Sequence, residues 1–285
     1  MPSAPPWTAG LGRPRPLIMG IVNVTPDSFS DGGQYLDPER AIAHGERLAA
    51  EGADILDVGG ESTRPGATPP SEAEELRRVI PVVEALAARG YCVSIDTRRP
   101  AVMAAALAAG ASIINDVAAL RAEGALELAA RHDCGIVLMH MQGTPETMQA
   151  DPRYPEGVVE TTRRFLAERL AACLAAGIAA ERIVLDPGIG FGKTATHNAE
   201  LTRGLSQLAS LGRPLLVGWS RKRSLDAYTG LTRKPQERLA ESLAAALASL
   251  LGGAHIVRVH DVLATAAAVR TWHALAPPVL PSGEP

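Results

Sequence analysis

The chain has 285 residues, of which 46% are hydrophobic and 21% are charged, so it can bury a sizeable apolar core beneath a charged surface. Its formal net charge of −3 argues against a general binder of nucleic acids or anionic membranes. The cysteines, Cys92, Cys134 and Cys173, lie far apart, with the spacing of neither a metal site nor a disulfide framework. This cysteine usage is typical of a reducing cytoplasm, where we expect the protein.

The two ends of the chain differ in composition from the rest. Residues 1–16 carry so many prolines and glycines that we predict a flexible N-terminal arm, and neither a signal peptide nor a helix. Residues 277–285 predict a frayed C-terminal tail. The most apolar helical stretch, 239–251, includes Glu241 and is shorter than the ~20 residues of a membrane span. We therefore expect one folded domain over 17–276.

Short apolar segments alternate with helical segments along this domain. The eight predicted strands lie at 18–24, 55–58, 93–96, 113–116, 136–140, 183–186, 215–218 and 256–260. The first two helices carry start signals, namely the Asp37-Pro38-Glu39 sequence and a capping box made by Ser71 and Glu74. The alternation predicts a parallel α/β fold. Eight units favour a closed (β/α)8 TIM barrel, with an open doubly wound sheet as the alternative.

The stretch from Ile18 to Gly33, IMGIVNVTPDSFSDGG, shows the plan of the domain most clearly. An apolar strand leads to Asn23, an amide that a buried strand has no packing reason to hold. A polar loop rich in turn-forming residues follows, with Phe29 in its middle and no obvious partner for that ring. A strand that ends in a polar residue and opens into such a loop is typical of an α/β active site.

Polar or charged residues stand at or just beyond the ends of most predicted strands: Asn23, Asp96, Asn115, Asp186, Lys222, Arg258 and His260. In a barrel these side chains converge on the C-terminal rim, where enzymes of this fold keep their active sites. A role as helix cap or turn former is the competing interpretation, and we prefer it for Asp116 and Asp261. Arg258 and His260 alternate across Val259 and so share one face of a strand, which predicts an anion-binding site.

Two basic motifs invite a phosphate-binding interpretation. DPGIGFGKT, which begins at Asp186, fails the P-loop pattern because Pro187 stands where a glycine is needed, so we set nucleotide hydrolysis aside. The sequence SRKR, at 220–223, lies where a strand turns into a helix, and its N–H groups and cations predict an anion site. A solvated basic turn is the alternative for Arg221. The histidines form no HxH or HExxH pair, so no zinc site is predicted.

Taken together, the loops resemble those of the dihydropteroate synthase family of the folate pathway. The likeness runs from about Ile18 to Ala274 and is carried, in the family's order, by VNVTPDSFSDGG, DVGGESTRPGA, SIDT, IINDV, LMHMQGTP, LDPGIGFGK, GWSRK and RVHDV. It implies that 6-hydroxymethyl-7,8-dihydropterin pyrophosphate condenses with p-aminobenzoate and releases pyrophosphate. It also implies a (β/α)8 barrel, Mg²⁺ as cofactor and a homodimer, with small-molecule substrates and neither nucleic acid nor membrane as partner.

The resemblance further implies roles for individual residues. The pterin would be bound by Asp96, Asn115, Met139, Asp186 and Lys222, with the Asp186 carboxylate accepting from the N–H and amino groups along the pterin edge. The pyrophosphate would be bound by Asn23, Arg64, Arg258 and His260, with Asn23 also beside the metal. The p-aminobenzoate would lie against Phe29, Thr63, Pro65, Phe191, Ser220 and Arg223.

Two positions depart from common forms of the family. Arg223 stands where many members have a serine, and Ile189 stands where a phenylalanine is frequent. The implied reaction is dissociative and needs little acid–base chemistry, so positioning and electrostatics should dominate. Two alternatives are a pterin-binding domain of a corrinoid methyltransferase and an inactive pterin-binding paralogue. The intact TPDSF and STRPG loops argue against both.

Overall fold

The computed structural model of the chain describes residues 15–25, 38–62, 68–145 and 147–275. Its strands are β1 (Leu17–Asn23), β2 (Ile55–Gly59), β3 (Val93–Asp96), β4 (Ile113–Asp116), β5 (Gly135–Met139), β6 (Ile183–Asp186), β7 (Leu216–Val217) and β8 (Ile256–Val259). They form one parallel sheet in the order β6-β5-β4-β3-β2-β1-β8-β7. A parallel bridge between Leu185 and Leu215 brings the two ends of that order together. The predicted (β/α)8 barrel is confirmed.

Helices connect the strands: α1 (Pro38–Glu51), α2 (Glu72–Ala88), α3 (Pro100–Ala108), α4 (Ala125–Arg131), α5 (Val158–Ala175), α6 (Ala195–Arg203), α7 (Leu205–Ala209), α8 (Ser224–Thr229), α9 (Leu239–Leu251) and α10 (Val262–Leu275). Ser71 is the N-cap of α2, since its side chain accepts from the Glu74 N–H at 3.2 Å. The Glu74 carboxylate pairs with Arg77 and Arg78, so the predicted capping box is only half formed. No described helix is long and apolar enough to cross a membrane.

The strands are buried on both faces, as expected for a parallel barrel wrapped in helices. Their outward-facing side chains, such as Ile95, Ile114, Leu138 and Leu185, belong to the large core between sheet and helices. Their inward-facing side chains form a separate apolar cluster: Leu17, Met19, Ile55, Ile113, Val137, Val184, Leu216 and Ile256. This cluster fills the N-terminal half of the barrel interior.

Inward-facing side chains change from apolar to polar along several strands. Two residues after four members of the apolar cluster stand Asp57, Asn115, Asp186 and Arg258. Because successive side chains alternate between the faces of a strand, these four also point inward, above the cluster and towards the carboxyl ends of the strands. The barrel thus has an apolar base and a polar C-terminal mouth, which positions the site.

Candidate active site

A pocket opens at the carboxyl ends of the strands. Among its lining are nine of the side chains predicted from sequence: Asp96, Asn115, Met139, Asp186, Phe191, Ser220, Lys222, Arg258 and His260. They come from six strands or the loops that follow them. The barrel therefore brings together residues that are up to 164 positions apart in the chain, as Asp96 and His260 are.

Asp186 lies at the end of β6 and is buried, with 6% of the residue exposed. Its Oδ1 accepts from the Gly188 N–H at 2.6 Å, which fixes the direction of the carboxylate. Burial raises the pKa of Asp186, while the Gly188 N–H and the charge of Lys222 act in the opposite direction. A carboxylate held in this way can accept two hydrogen bonds from a planar ligand with adjacent donors.

A charge network forms the floor of the pocket. Arg258 donates from Nε to Asp57 Oδ2 at 2.6 Å and from Nη2 to Asp96 Oδ2 at 2.6 Å. Asn115 Nδ2 donates to the same Asp57 oxygen at 3.0 Å. Within the described residues, the buried Asp57 Oδ1 has no hydrogen-bond partner. The Arg258 guanidinium is thus shared between two carboxylates.

The network shifts the protonation of its members. Burial raises the pKa of Asp96 to about 7, against the lowering effect of Arg258, and the charge of Asp57 raises it further. Burial opposes the charge on Arg258, but Asp57 and Asp96 outweigh burial and raise its pKa. Protonation of Asp96 near neutral pH would therefore change the charge of the pocket.

Asp57 was not among the site residues predicted from the sequence. It lies inside the apolar run ILDVG, with its partner Arg258 201 residues further along the chain. The available signal was its position two residues after Ile55, on the inward face of a strand that neighbours β1 and β3. An acidic residue on that face needs a buried partner.

Lys222 contacts the loop that follows β6. Its Nζ donates to the Ile189 carbonyl and lies 4.3 Å from the centroid of the Phe191 ring, a cation–π contact. Burial lowers the pKa of Lys222 to about 8, and the charge of Asp186 acts in the opposite direction. The amine therefore stands between the carboxylate of Asp186 and an aromatic wall. Ile189, one of the two departures from the family, lines the same wall.

The ends of β7 and β8 are tied together by hydrogen bonds. Ser220 Oγ lies 3.0 Å from His260 Nδ1 and accepts from the His260 N–H at 3.1 Å. Arg221 has φ +60 and makes a bidentate ion pair with Asp261, at 2.9 and 2.5 Å. The interpretation of Arg221 as a solvated turn is therefore wrong, and Asp261 uses its carboxylate in this pair. Asp116 behaves as predicted for a turn residue, since it accepts from the N–H groups of Ala118 and Leu120.

The remaining predicted site residues do not line this pocket. Asn23 is half-buried at the end of β1, and Arg223 is exposed at the start of α8, where it makes no side-chain cap. Four others lie outside the described residues, namely Phe29, Thr63, Arg64 and Pro65. Over the described ranges, no group of three or more histidine, cysteine or acidic residues could by itself hold a metal ion.

The fold and the position of this pocket define a TIM-barrel protein with its site at the carboxyl ends of the strands. Residues 19–260 match the family described as pterin binding enzymes. The chain is 55% identical to the dihydropteroate synthase of Neisseria meningitidis serogroup B over 278 residues, which cover 94% of this chain and 97% of that relative. It belongs to the dihydropteroate synthase family.

Solved structures agree with this assignment. A dihydropteroate synthase from Xanthomonas albilineans with 4-aminobenzoic acid superposes with a TM-score of 0.86 at 52% identity and covers 94% of this chain and 95% of that chain. A structure of the same organism's enzyme in complex with 7,8-dihydropteroate gives a TM-score of 0.84 at 49% identity, over 94% and 96% of the two chains. The predicted family and fold are therefore confirmed.

Proposed function

We propose that the chain condenses 6-hydroxymethyl-7,8-dihydropterin pyrophosphate with p-aminobenzoate, giving 7,8-dihydropteroate and pyrophosphate in folate biosynthesis. The observation that carries the proposal is the meeting of Asp186, Lys222 and Phe191 in one pocket of a barrel whose relatives are dihydropteroate synthases. A carboxylate, a cation and an aromatic ring at this spacing suit a flat, donor-rich heterocycle next to an arylamine.

The pterin would bind in the depth of the barrel. Asp186 would accept from the N–H and amino groups of one pterin edge, because the Gly188 N–H holds its carboxylate in a fixed direction. Asn115 and Asp96 would complete that edge, with Met139 against the face of the ring. Lys222 would donate to an acceptor on the ring, exchanging the Ile189 carbonyl for the ligand.

The diphosphate would lie towards the mouth of the pocket, near His260, Arg258 and Asn23, with Arg64 from outside the described residues. Arg258 is already paired with two carboxylates, so its charge is available only in part. Asn23 offers a neutral amide oxygen, a hard ligand of the kind that Mg²⁺ accepts beside substrate phosphates. Mg²⁺ bound there would supply positive charge against the developing charge of the leaving group.

The p-aminobenzoate would lie over Phe191 with its carboxylate towards Ser220 and the start of α8. Thr63, Pro65 and Phe29 would form the rest of this subsite. Arg223 is the residue just before α8, and its side chain is exposed. We propose that the exposed guanidinium contributes only weakly to p-aminobenzoate binding.

The reaction would proceed by departure of the pyrophosphate and then attack of the arylamine on the electron-poor methylene. The chain would contribute by holding the pterin, orienting the amine and stabilising the leaving group, not by covalent catalysis. Ser220 Oγ and His260 Nδ1, at 3.0 Å, have the spacing of a nucleophile and base. Ser220 Oγ also accepts from the His260 N–H, so we propose that this pair braces the two strands.

We also propose a homodimer and a cytoplasmic location. The exposed leucines of α9 and α10, Leu251, Leu263 and Leu275, give these two helices an apolar surface suited to association. Light scattering after size-exclusion chromatography should give twice the chain mass. The location rests on cysteine usage, since Cys92, Cys134 and Cys173 are all free thiols.

The decisive experiment follows pyrophosphate release in the presence of both substrates and Mg²⁺. We expect release that depends on p-aminobenzoate and a product that coelutes with 7,8-dihydropteroate. Pterin binding measured by calorimetry, without any turnover, would instead identify an inactive pterin-binding paralogue. Lys234→Met, at an exposed residue outside the pocket, provides a control for handling and folding.

A further inference from the structure

The P-loop-like motif forms a tight turn at 188–192, directly after β6. Gly188, Gly190 and Gly192 have φ of +67, +80 and +64, a left-handed conformation that favours glycine. A Cβ added to Gly188 would lie 1.9 Å from the carbonyl oxygen of His140, and one added to Gly192 would lie 2.8 Å from Gln142 Cβ. The turn therefore packs directly against the loop that follows β5.

Every carbonyl of this turn accepts a hydrogen bond from a side chain. The pairs, donor first, are Lys193 to Gly188, Lys222 to Ile189, Gln149 to Gly190, Lys193 to Phe191 and Tyr154 to Gly192. A loop whose carbonyls are satisfied in this way is held by its neighbours and not by regular secondary structure. Lys193 is the one side chain that serves two of the five carbonyls.

Lys193 is almost fully buried, with 3% of the residue exposed. Its Nζ lies 2.9 Å from the carbonyl oxygens of Gly188 and Phe191, 2.9 Å from His140 Nδ1 and 3.2 Å from the His140 carbonyl oxygen. Burial lowers the pKa of Lys193 well below its usual range, and the charge of Asp186 acts in the opposite direction. A compact amine with rotatable donors fits acceptors arranged around one point, whereas the planar fork of arginine does not.

We infer that Lys193 is a positioning residue. It holds the 188–192 turn against His140 and thereby fixes the positions of the two site groups that the turn orients or carries, Asp186 and Phe191. The turn orients Asp186 through the Gly188 N–H at 2.6 Å and carries Phe191, whose ring centroid lies 4.3 Å from Lys222 Nζ. The inference rests on the proposed roles of Asp186 and Phe191 in binding pterin and p-aminobenzoate. Loss of the Lys193 amine should therefore affect both substrates at once.

The test replaces Lys193 by methionine, which keeps the length of the side chain and removes its donors. Calorimetry with 6-hydroxymethyl-7,8-dihydropterin and steady-state pyrophosphate release are measured on the full chain. We expect at least a tenfold weaker Kd for the pterin, at least a threefold higher KM for p-aminobenzoate and a lower kcat. Wild-type turnover is the reference: if the wild type releases no pyrophosphate, the proposed function fails, and the inference about Lys193 is then judged from pterin binding.

Two control variants separate positioning from general loss of stability. Lys234→Met makes the same substitution at an exposed lysine. Val102→Ala opens a cavity at a fully buried residue of α3, outside both loops, and should lower Tm without changing Kd or KM by more than twofold. If Lys193→Met lowers Tm like Val102→Ala and keeps the Kd and KM of the wild type, Lys193 is merely structural and the inference is wrong.

A second measurement keeps the inference testable if Lys193→Met does not fold. Lys193, Lys222 and Lys234 are the lysines of the chain, so ¹⁵N labelling of lysine gives few side-chain signals, which Lys222→Met and Lys234→Met assign. Adding the pterin to the wild type should shift the signal of Lys193 Nζ and leave that of Lys234 in place. A Lys193 signal that stays still while the Lys222 signal moves would overturn the inference.

Discussion

Replacing Asp57 by asparagine probes the charge network in the floor of the pocket. The substitution keeps the shape of the side chain but removes the charge that faces Arg258 Nε at 2.6 Å. Removing one partner of a buried ion pair costs roughly 3–5 kcal/mol. At pH 8, where Asp96 is ionised, Arg258 keeps this carboxylate at 2.6 Å and the amide keeps one acceptor oxygen, so we expect about 2–3 kcal/mol. For a domain of this size, the loss corresponds to a fall in Tm of roughly 4–12 °C.

The size of this loss should depend on pH, and its sign follows from Asp96. Burial raises the pKa of Asp96 from 3.8 to about 7. Protonation of Asp96 in the folded state stabilises the protein fully below pH 3.8, and that stabilisation is lost as the pH rises to about 7. At pH 5 Asp96 of the wild type is mostly protonated, so Arg258 depends on Asp57 for its counter-charge. At pH 8 Asp96 is ionised, and Arg258 keeps a counter-charge without Asp57.

Thermal unfolding of the wild type and Asp57→Asn between pH 5 and pH 8 measures this dependence. We expect the largest difference in Tm near pH 5 and a smaller one at pH 8. Asp133→Asn, whose side chain is 98% exposed, is the matched control and should leave Tm within about 1 °C at each pH. An Asp57→Asn variant as stable as the wild type throughout, or one whose deficit grows with pH, would refute the reasoning.

Three further predictions concern the substrates. Asp186→Asn replaces one carboxylate oxygen that would accept from the pterin edge by a donor, and should weaken pterin binding by roughly 2–4 kcal/mol. An unchanged Kd for the pterin in calorimetry would rule out Asp186 as the anchor. Arg258→Ala should weaken binding of pyrophosphate more than binding of the free hydroxymethyl pterin, and equal losses would make its role structural. Arg223→Ser should change the KM for p-aminobenzoate only a few-fold and leave that for the pterin substrate unchanged, because exposed ion pairs contribute ~0–1 kcal/mol. A large fall in kcat with both KM values unchanged would assign Arg223 to the chemical step.

The barrel and most of its rim were predictable from the sequence because the two patterns involved are local. Apolar segments of four to seven residues, separated by helical spacing, indicate parallel strands whatever lies elsewhere in the chain. Polar residues at the ends of those segments, such as Asn115 and Asp186, must then converge, because all the strands of a parallel barrel end at the same side. Neither inference requires knowledge of a distant contact.

What the sequence did not predict depends on partners far along the chain. Arg258 looks like a free cation until Asp57 is placed beside it across 201 residues. Arg221 looks solvated until the barrel brings Asp261, 40 residues away, within ion-pair distance. Lys193 donates mainly to backbone carbonyls, and every residue has one, so the sequence gives no indication of these partners.

The charge network of Asp57, Arg258 and Asp96 also affects how the proposed diphosphate site can attract an anion. Five ionisable side chains meet in and beneath the floor of the described pocket, namely Asp57, Asp96, Asp186, Lys222 and Arg258. With all five ionised they carry a net charge of −1, and protonation of Asp96 makes them neutral. This group suits an uncharged pterin with several donors, but it offers little attraction for the three or so negative charges of a diphosphate ester.

Most of the positive charge for the diphosphate would therefore come from outside this group, with Arg258 contributing only in part. The candidates are the Arg64 guanidinium and a metal ion held beside Asn23. Pterin recognition would then depend on the barrel, whereas diphosphate recognition would depend on added Mg²⁺. Removing Mg²⁺ with a chelator should consequently weaken binding of the pterin pyrophosphate strongly and leave binding of the hydroxymethyl pterin almost unchanged. If removing Mg²⁺ leaves the affinity for the pterin pyrophosphate unchanged, the side chains alone balance the diphosphate charge.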